Sequence, residues 1–194
     1  MATMTRLIQS LCDDHAEMHQ LLRSIKTETE LLTDNSCDPD YYRLAETVRC
    51  FVHLPDVYHH PIENRLFDYL LKQNHEYRGI ITRLKYEHLE LSKHAKHLYL
   101  LLDGVRTGHI VSRLELLHDT HNFISDQTAH MALEEDQVFM LCSPYLETQK
   151  WMQFEREMHE RFDTDAVSKV KSEFQWLSSE FEINPQRTED IVGA

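Results

Sequence analysis

The stretch His59-His60-Pro61-Ile62-Glu63 contains a His-x-x-x-Glu spacing, and the same spacing returns in His130-Met131-Ala132-Leu133-Glu134. Residues four apart on an α-helix lie about one turn apart on nearly the same face. Each pair therefore directs an imidazole and a carboxylate, both ligands of transition metals, towards one point. The doubled spacing predicts a helical bundle that holds a pair of metal ions between two such pairs.

The composition favours a single all-α domain. Among 194 residues only 4 are Gly and 5 are Pro, too few for the turns of a many-stranded sheet. A formal net charge of −13 opposes binding to nucleic acids and anionic membranes, because these surfaces repel an acidic protein. No apolar stretch suits a signal peptide or a membrane span, and the 4 cysteines lie far apart, so we expect reduced thiols and a cytoplasmic location.

Apolar residues at steps of three and four predict four long amphipathic helices. The predicted helices cover about residues 5–32, 39–70, 77–102 and 110–141. Asp38 is the expected cap of the second helix and Gly104 that of the third. Pro55 and Pro61 each remove a ladder hydrogen bond, so we expect a kink or a break beside His59. The short linkers fit an up-down-up-down four-helix bundle.

The predicted bundle occupies residues 1–145, and Pro144 ends its last helix. An apolar pattern resumes afterwards at Val167, Val170, Phe174, Leu177 and Phe181. This pattern predicts a C-terminal extension of one or two helices over residues 146–183, followed by a loose tail at 184–194. The extension is expected to dock on the bundle, and it could also cover a partner subunit of a homodimer.

Helical phase separates the 14 histidines into two groups. At about 100° per residue, one histidine on each predicted helix shares the apolar stripe, namely His15, His59, His88 and His130. A single histidine on such a face is usually structural. Four together with Glu63 and Glu134 instead favour a metal, because a buried carboxylate costs several kcal/mol unless a cation neutralises it.

Three residues near these positions are further candidates for the site. His19, one turn after His15, could be an extra ligand or a supporting residue. His60 is rotated by about 100° around the helix from His59 and is expected at a helix contact. Glu135 could take the place of Glu134. The remaining histidines are assigned to other helix faces or to the surface: His53, His75, His94, His97, His109, His118, His121 and His159.

The ordered motifs Asp14-His15, 55–63, Glu87-His88 and 130–135 resemble the hemerythrin-like, or HHE cation-binding, proteins over about residues 5–145. The resemblance implies a four-helix bundle with two non-haem iron ions that share carboxylates and an oxo or hydroxo bridge. It also implies binding of O2, nitric oxide or peroxide.

Matching motifs carry the implied ligands onto this chain. His15 and His59 would bind one iron, His88 and His130 the other, and Glu63 and Glu134 would bridge them. The respiratory oxygen carriers of this family add a fifth histidine one turn after the third, where this chain has Ser92. Each iron would then keep an open coordination position, which favours chemistry with peroxide or nitric oxide, or sensing, over reversible oxygen storage.

Three hypotheses for function follow. The first is a protein that binds or senses O2, nitric oxide or peroxide and signals through an unknown downstream protein. The second is an enzyme, either a peroxide-consuming di-iron catalyst or an iron donor for repair of iron–sulfur clusters. The third, from another class, is a metal-free helical interaction module with structural histidines. Bound iron separates the third hypothesis from the first two, and peroxide turnover separates the enzyme from the sensor.

Overall fold

The structure, a computed structural model, describes residues 5–33, 38–162, 164–165, 167–169 and 171–172. Throughout this part of the chain the regular structure is helical, without strands, as the composition predicts. The α-helices are α1 (Arg6–Glu30), α2 (Tyr41–Leu54), α3 (His60–Gln73), α4 (Arg78–Arg106), α5 (Arg113–Leu133), α6 (Phe139–Leu141) and α7 (Gln149–Phe162). A first π turn, Pro55–His59, joins α2 to α3, and a second π turn, Glu134–Val138, joins α5 to α6.

Four rods form the bundle: α1, then α2 with α3, then α4, and finally α5 with α6. The helix α1 packs against α2 and α5, while α4 packs against α2, α3 and α5. Each rod thus contacts its neighbours in chain order, and the first contacts the last, which is the arrangement of the predicted up-down-up-down bundle. Among the described residues, no helix combines the length and apolar character that a bilayer span requires.

Aliphatic and aromatic side chains fill the space between the rods. Phe51 on α2 and Phe123 on α5 are almost fully buried, and their rings meet edge to face with centroids 5.3 Å apart. Burial of an aromatic side chain contributes roughly 1.5–3 kcal/mol to stability. Thr120 interrupts the apolar stripe of α5, but its hydroxyl donates to the carbonyl of Leu116, so it is buried without an unsatisfied donor.

The cap of α2 is Asp40, so the prediction of Asp38 is wrong. The Asp40 carboxylate accepts a hydrogen bond from the backbone N–H of Arg43 at 3.0 Å. Asp38 lies outside the helix and accepts a hydrogen bond from the Arg113 side chain at 2.7 Å. Asp40 directly precedes the first residue of α2 and therefore holds the capping position, while Asp38 pairs with a distant arginine.

The predicted cap at Gly104 is also wrong, because α4 continues to Arg106. The chain turns at Gly108, which has a φ of 89°, a conformation that glycine adopts without the steric penalty of a Cβ. At the end of the fourth rod, Pro144 lies in a 3₁₀ turn, Ser143–Tyr145, directly after α6. That rod ends where the sequence predicts.

The break expected beside His59 is the first π turn, through which the helix continues. The N–H of His60 bonds to the carbonyl of Pro55, five residues back instead of four. The second π turn closes in the same way, from the N–H of Phe139 to the carbonyl of Glu134. A π turn shifts the phase of the residues that follow it, so faces counted at the α-helical angle do not continue across it.

The predicted C-terminal extension begins with α7, which packs against α3. Trp151 on α7 is fully buried, and the Glu155 side chain accepts a hydrogen bond from the backbone N–H of Leu7 at 3.0 Å. Val167 is buried further along. Val170, Phe174, Leu177, Phe181 and the predicted tail at 184–194 lie outside the described residues.

Replacing Asp40 by Ala should lower the free energy of unfolding by about 1 kcal/mol, because α2 loses its N-terminal side-chain cap. Asp38→Ala is the matched control and should cost at most about 0.5 kcal/mol, because it removes only an exposed ion pair. Urea denaturation of both variants measures the difference. Equal losses would show that Asp40 has no capping role.

Candidate metal centre

The six side chains predicted to bind metal lie together inside the bundle, and each is at most 4 % exposed. All four rods contribute: α1 carries His15, the first π turn His59, α3 Glu63, α4 His88, α5 His130 and the second π turn Glu134. Two of these residues belong to π turns, which frequently occur at functional sites in helical proteins.

His15 and His59 form the first half of the cluster. Their Nε2 atoms lie 2.8 Å apart. Oε1 of Glu63 lies 3.5 Å from Nε2 of His15 and 3.2 Å from Nε2 of His59. Oε2 of Glu134 approaches the same His15 nitrogen at 3.6 Å. Two imidazole nitrogens thus face one oxygen from each glutamate.

His88 and His130 form the second half. Nε2 of His88 lies 3.4 Å from Oε2 of Glu63 and 3.2 Å from Oε1 of Glu134. Nε2 of His130 lies 3.3 Å from the same Oε1 of Glu134. Each glutamate therefore turns one oxygen towards each histidine pair, and both carboxylates connect the two halves of the cluster.

Three of the four imidazoles are held from outside by a carboxylate on another rod. The contacts join Nδ1 of His15 to Glu135 at 2.8 Å, Nδ1 of His59 to Asp14 at 3.2 Å, and Nδ1 of His130 to Glu87 at 2.9 Å. An ionised carboxylate only accepts hydrogen bonds, so each Nδ1 donates and the neutral ring has its lone pair on Nε2. The lone pairs therefore face the centre, as metal ligation requires.

These outer carboxylates are direct sequence neighbours of the predicted ligands. Asp14 precedes one such histidine, Glu87 precedes another, and Glu135 follows a predicted bridging glutamate. Sequence reasoning noticed the neighbours but missed their role, because each contacts an imidazole on a different rod. An acidic residue directly beside a predicted ligand could have indicated a supporting role, but not which imidazole it contacts.

The arrangement leaves buried atoms that a cation would satisfy. Within the described residues, no hydrogen bond satisfies either oxygen of Glu63, Oε2 of Glu134 or Nε2 of His130. The lone pairs on Nε2 of His15 and His59, 2.8 Å apart, repel each other unless a proton or a metal ion lies between them. Four imidazole nitrogens with two carboxylates form a donor set that suits first-row transition metals.

Burial by itself would lower the pKa of the buried histidines, but the surrounding carboxylates outweigh it. The hydrogen bond to Glu135 and the negative charge of Glu63 raise the pKa of His15 to about 10. Glu134 and Glu63 raise the pKa of His88 to about 9. Burial also opposes ionisation of Glu63, yet the neighbouring imidazoles keep its pKa well below the usual value. Without metal, protons on the histidines therefore neutralise the glutamates.

His60, expected at a helix contact, packs against α4 and also reaches the cluster. It is 7 % exposed, and its ring stacks on that of His88 with centroids 4.0 Å apart. One of its ring nitrogens lies within 4.8 Å of ring nitrogens of His88 and His130. An Asp56 oxygen lies 3.7 Å from its Nδ1. Phase counting did not predict this proximity because it compared His60 with His59 and not with side chains on other rods.

His19 and Glu135 do not reach the centre of the cluster. His19 is partly exposed and is absent from the groups of potential metal ligands found among the described residues. Glu135 contacts only the outer nitrogen of His15, and its side chain is 41 % exposed. The Ser92 hydroxyl, at the position of the oxygen carriers' fifth histidine, donates to the Asp56 carboxylate.

Of three comparisons with known proteins, the one with protein-family models gives a match. Neither the search of curated proteins nor the search of solved structures found a match. The model of the Hemerythrin HHE cation binding domain matches residues 6–142, a range that includes all six clustered side chains and ends before α7. The chain therefore belongs to the hemerythrin HHE cation-binding domain family.

Proposed function

We propose that this protein binds two iron ions inside the bundle and that the metal pair binds a small oxidant, namely O2, nitric oxide or peroxide. His15 and His59 would bind one ion, His88 and His130 the other, and Glu63 and Glu134 would bridge both. Membership of a cation-binding family supports metal binding in general. The number of ions, the choice of iron and the oxidant are our proposal.

The observation that supports the proposal most directly is that Glu63 and Glu134 each turn one oxygen towards each histidine pair. One cation between His15 and His59 would leave the opposite oxygens of Glu63 and Glu134 facing the second histidine pair without a metal ion. Two cations would each have two imidazole nitrogens and one oxygen from each glutamate. Four protein donors to each ion leave coordination positions for a small ligand.

The charges around the cluster also favour two dications. Glu63 and Glu134 contribute two negative charges inside the cluster. Asp14, Glu87 and Glu135 contribute three more through the outer imidazole nitrogens. Lys171 and Arg83 pair with Asp14 and Glu87, so three of the five negative charges have no lysine or arginine partner among the described residues. One divalent ion would leave part of this charge unbalanced, whereas two divalent ions with a bridging hydroxide would balance it.

The donor set is compatible with iron, the metal that we propose. Manganese prefers more oxygen ligands, and zinc fits the same donors with higher affinity than ferrous iron, so purification conditions affect occupancy. Ferrous ions, when bound, supply the electrons that a small oxidant accepts. The protein's own contribution includes apolar walls: Phe139 stacks against His15 and Phe67 against His88, both with centroids 5.7 Å apart. These rings restrict access of water to the cluster.

Experiments distinguish this function from the enzyme, the iron donor and the interaction module. Steady-state consumption of peroxide by the iron-loaded protein would favour the enzyme, and transfer of iron to an apo iron–sulfur protein would favour the donor. Absence of stoichiometric metal after anaerobic purification would favour the metal-free interaction module. The downstream protein, a homodimer and a cytoplasmic location stay predictions from the sequence.

His59→Ala and Glu63→Gln should each reduce iron from two ions per chain to one or fewer, because each variant removes a proposed ligand. Both should also lose the near-ultraviolet absorption expected when the anaerobic iron-loaded protein meets O2. Metal analysis and optical spectra measure the two effects. His53→Ala, an exposed position on α2, is the control and should retain both. A His59→Ala protein with two irons and an unchanged spectrum would refute the ligand assignment.

We include His60 as an additional ligand on the side of His88 and His130. His60→Phe keeps a flat ring stacked on His88 and removes the nitrogens. Two ions should still bind, but the weaker dissociation constant should rise by about tenfold or more, the size of effect that even supporting residues of metal sites produce. Titration of the anaerobic protein with Fe²⁺ measures this constant. Unchanged binding of both ions would assign His60 to packing alone.

The stability of the metal-free protein should fall as pH rises. A histidine whose pKa is raised by folding stabilises the fold below its unfolded pKa and loses this contribution as pH rises through the folded value. This window extends from pH 6.5 to about 9 for His88 and from pH 6.5 to about 10 for His15. In the presence of a chelator, the unfolding free energy should drop by roughly 1 kcal/mol or more between about pH 6.5 and 8.5.

Metal should produce the opposite trend, because it binds deprotonated histidines and releases their protons. The increase in Tm caused by one to two equivalents of Zn²⁺ should therefore be larger at about pH 8.5 than at about pH 6.5. Thermal denaturation with and without Zn²⁺ measures both trends. A metal-free protein whose stability rises over this interval would contradict the assignment of protons to the cluster.

A further inference from the structure

Lys171 connects the C-terminal extension to the surroundings of the metal centre. It lies beyond residues 6–142, the range that the family shares. Its Nζ is 3.2 Å from Oδ1 of Asp14, 3.4 Å from the hydroxyl of Ser10 and 4.1 Å from the ring centre of Tyr58. Its side chain is 30 % exposed. A carboxylate, a hydroxyl and an aromatic face thus hold the ammonium group in one place.

Asp14 divides its two oxygens between Lys171 and the metal centre. Oδ1 accepts from Lys171, while Oδ2 faces Nδ1 of His59 at 3.2 Å. Asp14 is only 6 % exposed, so little water is available to orient it. The ammonium group therefore fixes the direction of the carboxylate that orients His59, the kind of support on which the affinity of metal sites depends.

A second series of contacts of the same kind lies on the opposite side of the cluster. Arg83 donates to one oxygen of Glu87 at 2.6 Å, and the second oxygen of Glu87 lies 2.9 Å from Nδ1 of His130. In both series a cationic side chain binds a carboxylate, and the carboxylate in turn contacts an imidazole. Arg83 belongs to the bundle itself, on the same helix as Glu87, whereas Lys171 comes from the extension.

We propose that Lys171 is a positioning residue of the metal centre, which orients His59 through Asp14 so that metal binding and docking of the C-terminal extension strengthen each other. The inference rests on the proposed metal site. Coupling between two binding events is reciprocal, so any factor by which docked Lys171 raises metal affinity is also the factor by which metal favours docking.

Further contacts place the extension on the same surface. Tyr58, whose ring lies under the ammonium group, meets Phe162 edge to face with centroids 6.4 Å apart. The Tyr58 hydroxyl lies 3.3 Å from that of Ser10. Tyr58 immediately precedes His59 in the first π turn. Movement of the extension away from this surface would therefore release both the carboxylate behind His59 and the aromatic residue beside it.

The test uses the full-length protein with Co²⁺, whose visible absorption reports the geometry of its ligands. Lys171→Met keeps most of the aliphatic chain and removes the charge. It should weaken binding of one Co²⁺ by about tenfold in competition with a chelator and alter the visible bands. Lys171→Arg should restore both. Lys169→Met removes the same charge from an exposed position in the same segment and should leave both unchanged.

Hydrogen exchange of the wild-type protein tests the reciprocal effect without a substitution. Peptides covering residues 164–172 should exchange more slowly with Co²⁺ than without it, and Lys171→Met should abolish the difference. If the wild type binds two Co²⁺ but Lys171→Met has the same affinity and spectrum, the inference fails while the metal site stands. Metal-independent exchange in the wild type would also overturn it. If the wild type binds no Co²⁺, both proposals fail.

Discussion

The bundle buries the carboxylates of Glu63 and Glu134 completely, and the rest of the structure depends on neutralising them. An unpaired carboxylate in a core costs several kcal/mol, and apolar side chains of similar volume would stabilise the same space equally well or better. Stability therefore does not explain these two residues. Metal binding does, because each glutamate already turns one oxygen to each histidine pair and bound cations would neutralise both carboxylates.

The geometry of the cluster depends on how the rods pack against each other. Asp14 on α1, Glu87 on α4 and Glu135 in the second π turn each hold an imidazole that belongs to another rod. Each of these rods thus contributes an inner side chain and also orients one that a neighbour contributes. Sliding or rotating one of these three rods would disturb at least two imidazoles, so the bundle brings the clustered nitrogen and oxygen atoms together only in its native packing.

Sequence periodicity was sufficient for the four rods and for bringing the six predicted side chains into one cluster, because each side chain keeps the apolar phase of its own helix. Phase counting from His59 did not place His60 beside the cluster, because that proximity depends on how α4 and α5 pack against this rod. Rules for helix caps also failed, because they do not distinguish between two acidic residues that lie close together before α2. Asp38 and Asp40 are both good caps, and Arg113, distant in sequence, binds the first. Partners on different helices have no local signal.

The position of His59 shows how the common and the particular parts of this chain combine. The family's spacing brings His59 to Glu63, and the π turn carries Tyr58 towards the extension while His59 faces inward. Asp14 then holds the ring from behind, and Lys171 holds Asp14. The first contacts determine which atoms meet at the centre. The contact between Lys171 and Asp14 makes the orientation of His59 depend on a segment outside the shared domain. A change at the cluster can therefore be transmitted through Asp14 and Lys171 to the surface of the protein.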